Sequence, residues 1–131
     1  MKVALGLGCD RGTPFETLAQ AVNEALAVAG VGLEAVSAVA SIDLKADEAG
    51  LALLAAVHGW RIDFHPAPRL AAIAVPNPSE TVRRYTGTPS VSEAAALLAA
   101  NAGQDALLVE KHKVRGTDGK NATISIARIS E

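Results

Sequence analysis

The sequence is short of aromatics, cysteine, basic runs and long apolar segments, and each shortage excludes something. Two Phe, one Trp and one Tyr among 131 residues leave Ala, Leu and Val to build a core, although half of all residues are apolar. A single cysteine, Cys9, rules out an intramolecular disulfide. With three scattered histidines (His58, His65, His112) it matches no metal-ligand spacing, so no metal is expected. No apolar run approaches the roughly 18 residues of a membrane span. The stretch after Lys2 breaks at Gly6 and Gly8, too soon for a secretory leader. Charge is nearly balanced, 12 Lys plus Arg against 14 Asp plus Glu, with no basic tail, so a general nucleic-acid binder is not expected. Repeats and linkers are also missing. The expectation is one cytoplasmic domain over residues 1–131, with no membrane span and no cofactor.

What is present starts with a short apolar strand, Lys2-Val3-Ala4-Leu5, that runs into Gly6-Leu7-Gly8-Cys9-Asp10-Arg11-Gly12, read as a glycine-rich loop. Thr13-Pro14-Phe15-Glu16 follows as a T-x-x-E capping box with proline at the first helical position. Behind it Phe15, Leu18, Val22, Leu26 and Ala29 recur at helical spacing until Gly30. Residues 35–42 read as a second strand, Leu51 to His58 as a second helix closed by Gly59, and residues 61–64 as a short third strand. Two more capping boxes, Asn77-Pro78-Ser79-Glu80 and Ser90-Val91-Ser92-Glu93, open two further helices. Residues 107–109 and 123–127 read as closing strands, with turn residues Gly116 and Asp118-Gly119 between them. The β-α-β-α-β opening and this ending predict a three-layer α/β/α domain. Its sheet is mixed, mostly parallel, of about five strands, with a C-terminal hairpin.

The first loop offers backbone donors, a helix start and the side chains of Cys9 and Arg11, which together suit an anionic ligand. Its G-x-G-x-x-x-G spacing is not a dinucleotide fingerprint, and no Gly-Lys-Ser/Thr follows, so a P-loop is excluded. Cys9 reads either as a small buried filler or as a nucleophile whose pKa is lowered by the helix start and Arg11. The densest charge cluster, Asp43 to Glu48, sits at a strand-to-helix junction. Asp47 there reads as a helix cap, while Asp43 and Lys45 are not placed to cap. Lys111-His112-Lys113, with Arg115 and Lys120, suits a polycarboxylate or phosphate, or is a charged hairpin tip that keeps an edge soluble.

Five segments then occur in a telling order: Gly6-Leu7-Gly8-Cys9-x-Arg11-Gly12-Thr13, Ser41-Ile42-Asp43-Leu44-Lys45-Ala46-Asp47-Glu48, Val75-Pro76-Asn77-Pro78-Ser79-Glu80, Gly87 to Ala95, and Val109-x-Lys111-x-Lys113. Together they resemble, over nearly the whole chain, the family formed by CobE of aerobic cobalamin biosynthesis and the C-terminal domain of CbiG from the anaerobic route. One departure is Asp10, where the family often has a basic residue. The resemblance implies a protein of corrin-ring assembly whose ligand is a precorrin, a flat macrocycle rimmed with carboxylates. Gly8, Cys9, Arg11, Gly12, Thr13, Asp43, Lys45, Asn77, Ser79, Ser90, Lys111 and Lys113 are the expected ligand-binding residues. Three roles stay open: binding and handover of the precorrin; hydrolysis of a precorrin lactone or acyl group, with Asp43 or Glu48 as base and Cys9 as a less favoured nucleophile; or docking on another enzyme of the pathway.

Overall fold

Five strands form one open sheet in the order β3-β2-β1-β5-β4. They are β1 Lys2–Cys9, β2 Val36–Ile42, β3 Ile62–His65, β4 Leu107–Arg115 and β5 Asn121–Ile129. The computed structural model describes residues 1–130. β1 pairs in parallel with β2, and β2 with β3, whereas β5 is antiparallel to both β1 and β4. Only β5 is therefore reversed, and four strands run the same way, which is the mixed, mostly parallel sheet expected.

The helices are α1 Phe15–Ala29, α2 Ala49–His58, α3 Ala67–Ala71, α4 Glu80–Thr86 and α5 Val91–Ala100. Strand alternation assigns them to layers. Val3, Leu5 and Leu7 of β1 join Leu18, Val22 and Leu26 of α1 and Leu51 and Leu54 of α2 on one face. Ala4 meets Ala96 and Leu97 of α5 on the other, where Ala40, Ile42, Leu70 and Ala95 also pack. Both β-α-β connections place their helices on the first face. The chain then crosses to the far edge through α5 on the second, so β1 is the point where strand order turns.

Several local expectations change. Gly6 and Gly8 lie inside β1, not in a loop, and pair with Ser125 and Thr123 of β5. At Gly6 the lack of a side chain serves packing: a Cβ there would stand 1.9 Å from the Ser92 carbonyl oxygen and 2.5 Å from the Ala96 nitrogen. The first capping box does not form. Pro14, extended at ψ 158°, occupies the N-cap without a side-chain bond, because Thr13 Oγ1 donates instead to the carbonyls of Asp10 (2.8 Å) and Asn121 (3.2 Å). In the second box the cap is Ser79, whose Oγ accepts from the Val82 N–H at 3.2 Å. In the third, Ser90 Oγ donates to Glu93 Oε1 at 2.9 Å. Both closing strands are longer than expected, Leu107–Arg115 and Asn121–Ile129, so the connection between them shrinks to the turn at residues 116–120. The proline-bearing helix α3 was not anticipated.

Candidate cleft at the C-terminal edge of the sheet

At the carboxyl ends of β1 and β2, where strand order turns, an open cleft of about 410 Å³ lies between the first loop and the start of α5. This is where open α/β sheets bind ligands, and the volume is ordinary for a small-ligand site. Of the residues expected to bind, Gly8, Cys9, Arg11, Lys45, Ser90, Lys111 and Lys113 line it. Gly12, Thr13, Asp43, Asn77 and Ser79 do not, nor does Glu48, the other candidate base. The wall is completed by Asp10, Ser92, Asn121, Thr123 and one side of α4, none of which sequence reasoning selected.

How two lysines of one strand come to face the cleft depends on a bulge. Val109 of β4 pairs with Ile126 and His112 with Ile124, so three steps on β4 match two on β5. The extra residue reverses which face successive side chains take. Val109 packs with the α1 core, and without the bulge Lys111 and Lys113 would point the same way. With it, Val114 joins that core and His112 reaches Glu24 of α1 at 2.8 Å, while both lysines turn to the cleft. Ser125 Oγ donates to the Glu110 carbonyl at the bulge and stands 2.8 Å from Ser92 Oγ.

Two latches fix the rims. In the first, Arg11 Nη1 sits 2.6 Å from Asp47 Oδ1 and 2.7 Å from Glu48 Oε2, and its Nη2 donates to the Leu44 carbonyl at 2.7 Å. The contact to Glu48 Oε2 is an ion pair off the hydrogen-bond direction, so that buried oxygen is neutralised without being hydrogen-bonded. Glu48 Oε1 accepts the N–H of Gly12, whose φ of 79° is glycine's own region. Arg11 thus braces the β1–α1 loop against the β2–α2 loop. Glu48 is tied to that brace and not free to act as a base, and Asp47 pairs with Arg11 instead of capping α2. The second latch centres on fully buried Glu93, which accepts from the Asn77 N–H, Asn77 Nδ2 and Ser90 Oγ. Asn77 Nδ2 also donates to Glu110, and Lys111 Nζ to the Asn77 carbonyl at 2.8 Å. Asn77 and Ser79 are therefore supports behind the wall.

The Arg11 hydrogen bond and charge hold the Asp47 carboxyl below its usual 3.8. A lowered folded-state pKa stabilises the protein above the unfolded value and loses that contribution as pH falls through the folded one. The stability gap between wild type and Asp47→Asn should be present at neutral pH and close below about pH 4, and shrink in high salt because both side chains are exposed. Chemical denaturation across pH measures it; a gap that widens in acid would contradict the latch.

Of the two readings of Cys9, the structure fits the packed filler and not the activated thiol. Burial pushes it up to about 11, with Lys45 pulling the other way and Glu48 and Asp10 adding to the rise. The raised pKa leaves little thiolate at pH 8, so alkylation by iodoacetamide should be about tenfold or more slower than for a free thiol, the lost thiolate outweighing the greater nucleophilicity of a more basic sulfur. Reaction at the free-thiol rate would contradict this burial. Asp43, exposed on a 3-10 turn, makes no side-chain hydrogen bond among the described residues and stands outside the cleft. Asp10 is the one carboxylate on the wall, and its Oδ2 is taken by the Asn121 N–H and Nδ2 at 2.8 and 3.0 Å. Lys45 and Lys113 have no polar side-chain partner among the described residues. No cluster of three or more His, Cys, Asp or Glu among them is placed to hold a metal, and no helix is long and apolar enough to cross a membrane.

Comparison with known proteins meets this geometry. A family model described as cobalamin synthesis G C-terminus matches residues 3–127. A cobalt-precorrin-5A hydrolase of Priestia megaterium is 37% identical over 97% of the chain, which spans only 32% of that enzyme's length. A protein CobE of Sinorhizobium sp is 42% identical, with 82% of the chain and 70% of the relative covered. Among solved structures, a CobE of the cobalamin (vitamin B12) biosynthetic pathway superposes with a TM-score of 0.78 at 35% identity, covering 98% of this chain and 91% of that one.

Proposed function

This chain belongs to the CbiG C-terminal family of cobalamin-biosynthesis proteins, and from that premise we propose that its cleft binds a precorrin and hands it between enzymes of the pathway. The observation that carries the reading is the convergence of Lys45, Lys111 and Lys113 on one open cleft beside the start of α5. The rim of a precorrin carries acetate and propionate groups. Ammonium groups and helix N–H donors at a partly enclosed edge are the complement of such a rim. An open cleft takes one edge of the macrocycle and leaves the rest exposed, which suits transfer to a second protein.

Hydrolysis is the second reading, supported by the name of the Priestia megaterium relative. Opening a lactone or acyl bond requires water activated by a base within hydrogen-bond reach. The expected bases are elsewhere: Asp43 is outside the cleft, Glu48 is bound to Gly12 and Arg11, and Cys9 is held as a thiol. Asp10 remains, already engaged by Asn121. These features favour binding over catalysis for the isolated chain.

The test is an absorbance titration with a precorrin, and in parallel with uroporphyrin, an octacarboxylate tetrapyrrole, and its methyl ester. Saturable, salt-sensitive spectral change with the two acids and none with the ester is the expected result. Conversion of the precorrin to a new product would make the chain an enzyme and Asp10→Asn the next variant. No spectral change with any acid would overturn the precorrin site and leave docking on a pathway enzyme.

A further inference from the structure

Residues 79–89 are built as an appendage hinged at one point. The Ser79 N–H donates to the Pro89 carbonyl at 2.8 Å, so the chain leaves and re-enters the domain at the same place. Pro78 and Pro89 stiffen the two stems. Between them α4 is held by its own bonds: the Ser79 cap, and Thr86 Oγ1 donating to the Val82 and Thr88 carbonyls at 2.7 and 2.9 Å. Within α4 packing contributes little, since no residue of the helix is buried and Val82 alone of them packs against the core; the segment is anchored at its stem by buried Thr88 and Pro89. A segment with few buried contacts and a closed stem is one that opens at small cost.

The helix is nonetheless oriented. Thr81, Val82, Tyr85 and Thr86, spaced i, i+1, i+4 and i+5, all line the cleft, and the exposed Arg83 and Arg84 lie between them in sequence, on the other side of the turn. Glu80 and Arg83 pair with each other at 3.4 Å. Tyr85 is the chain's one tyrosine. It is 78% exposed although it stands on the cleft wall, and it belongs to none of the core clusters. A large ring left in solvent on the inner side of a hinged helix has a partner to gain when something flat enters the cleft.

We propose that residues 79–89 form a lid that closes over a bound tetrapyrrole and lays the ring of Tyr85 on the face of the macrocycle, while the lysines hold carboxylates at its rim. The proposal rests on the precorrin-binding reading above and adds recognition of the apolar face, which the cationic groups do not read. Stacking on a face discriminates a conjugated ring from an acyclic polycarboxylate of the same charge.

Trypsin tests the closure directly, because Arg83 and Arg84 are exposed on the lid. The ligand-free protein is expected to be cut there first, and saturating uroporphyrin is expected to slow that cut at least tenfold. Tyr85→Ala should bind uroporphyrin about tenfold more weakly than wild type, and Tyr85→Phe as wild type does, because the ring face acts and not the hydroxyl. Citrate, acyclic and anionic, should bind both variants and wild type alike. Unchanged cutting in bound protein, or equal uroporphyrin affinity of Tyr85→Ala and wild type, overturns the lid while leaving the binding site standing. Failure of the wild type to bind uroporphyrin or a precorrin overturns the site itself, and the lid with it.

Discussion

Gly6→Ala should destabilise the domain by about 3 kcal/mol or more, a value at the upper end for overpacking, whereas Gly8→Ala should leave it intact. The two glycines lie two residues apart on the same face of β1, and the difference comes from what stands over them. At Gly6 the new methyl would meet backbone: the Ser92 carbonyl oxygen at 1.9 Å and the Ala96 nitrogen at 2.5 Å. Neither atom can rotate away, so α5 as a whole must lift from the sheet. That lift would loosen contacts that bury Ala95, Ala96 and Leu97 and would shift the start of α5 at the cleft. At Gly8 the nearest atoms, Ser92 and Thr123, are 3.9 Å away, an ordinary contact. An alanine in a strand also loses less chain entropy on folding than glycine, a gain of roughly 0.5–1 kcal/mol. Urea denaturation of the two variants beside wild type reads the contrast. Equal stability of Gly6→Ala and wild type would mean that α5 does not approach β1 as closely as described.

That contrast marks what the sequence could and could not say. Glycines at 6 and 8 were visible, and a glycine-rich run before a helix reads as a loop. Only the facing element shows that Gly6 makes room for a helix and Gly8 need not, because close approach is a property of two segments and not of one. The element order was legible for a related reason: periodicity and turn residues are local, and β1, α1, β2, α2 and the hairpin each carry their own. Layering followed from connection rules. The bulge in β4 was not legible, since Leu107 to Arg115 contains no glycine or proline to announce it, yet it decides which way Lys111 and Lys113 point. Cys9 stays open between filler and nucleophile in the sequence because its neighbours there are charged, and only its neighbours in space decide for the filler. Asp43 and Glu48 both read as candidate bases from their place in a charged cluster. The charge that mattered there was Glu48, taken up in bracing the loop.

Replacing both Lys111 and Lys113 with Ala should weaken uroporphyrin or precorrin binding roughly 30- to 150-fold at low salt. This takes each charge-assisted contact at about 1–1.5 kcal/mol, between the worth of an exposed pair and that of a buried one. Both side chains are exposed on β4, so the fold itself should change by no more than about 0.5 kcal/mol. Lys111 has one interaction to lose, its bond to the Asn77 carbonyl. Single variants separate the two roles. Lys113→Ala removes a cation with no protein partner among the described residues and should act on affinity alone. Lys111→Ala also frees the loop before α4 and should speed tryptic cutting at the lid. Salt dependence supplies the internal control, because removing two of the cleft's cations must flatten the fall of affinity with ionic strength. A double variant that binds as wild type, with the same salt response, would show that the bulge does not deliver these lysines to the ligand. The carboxylates would then have to be held by Lys45 and the start of α5.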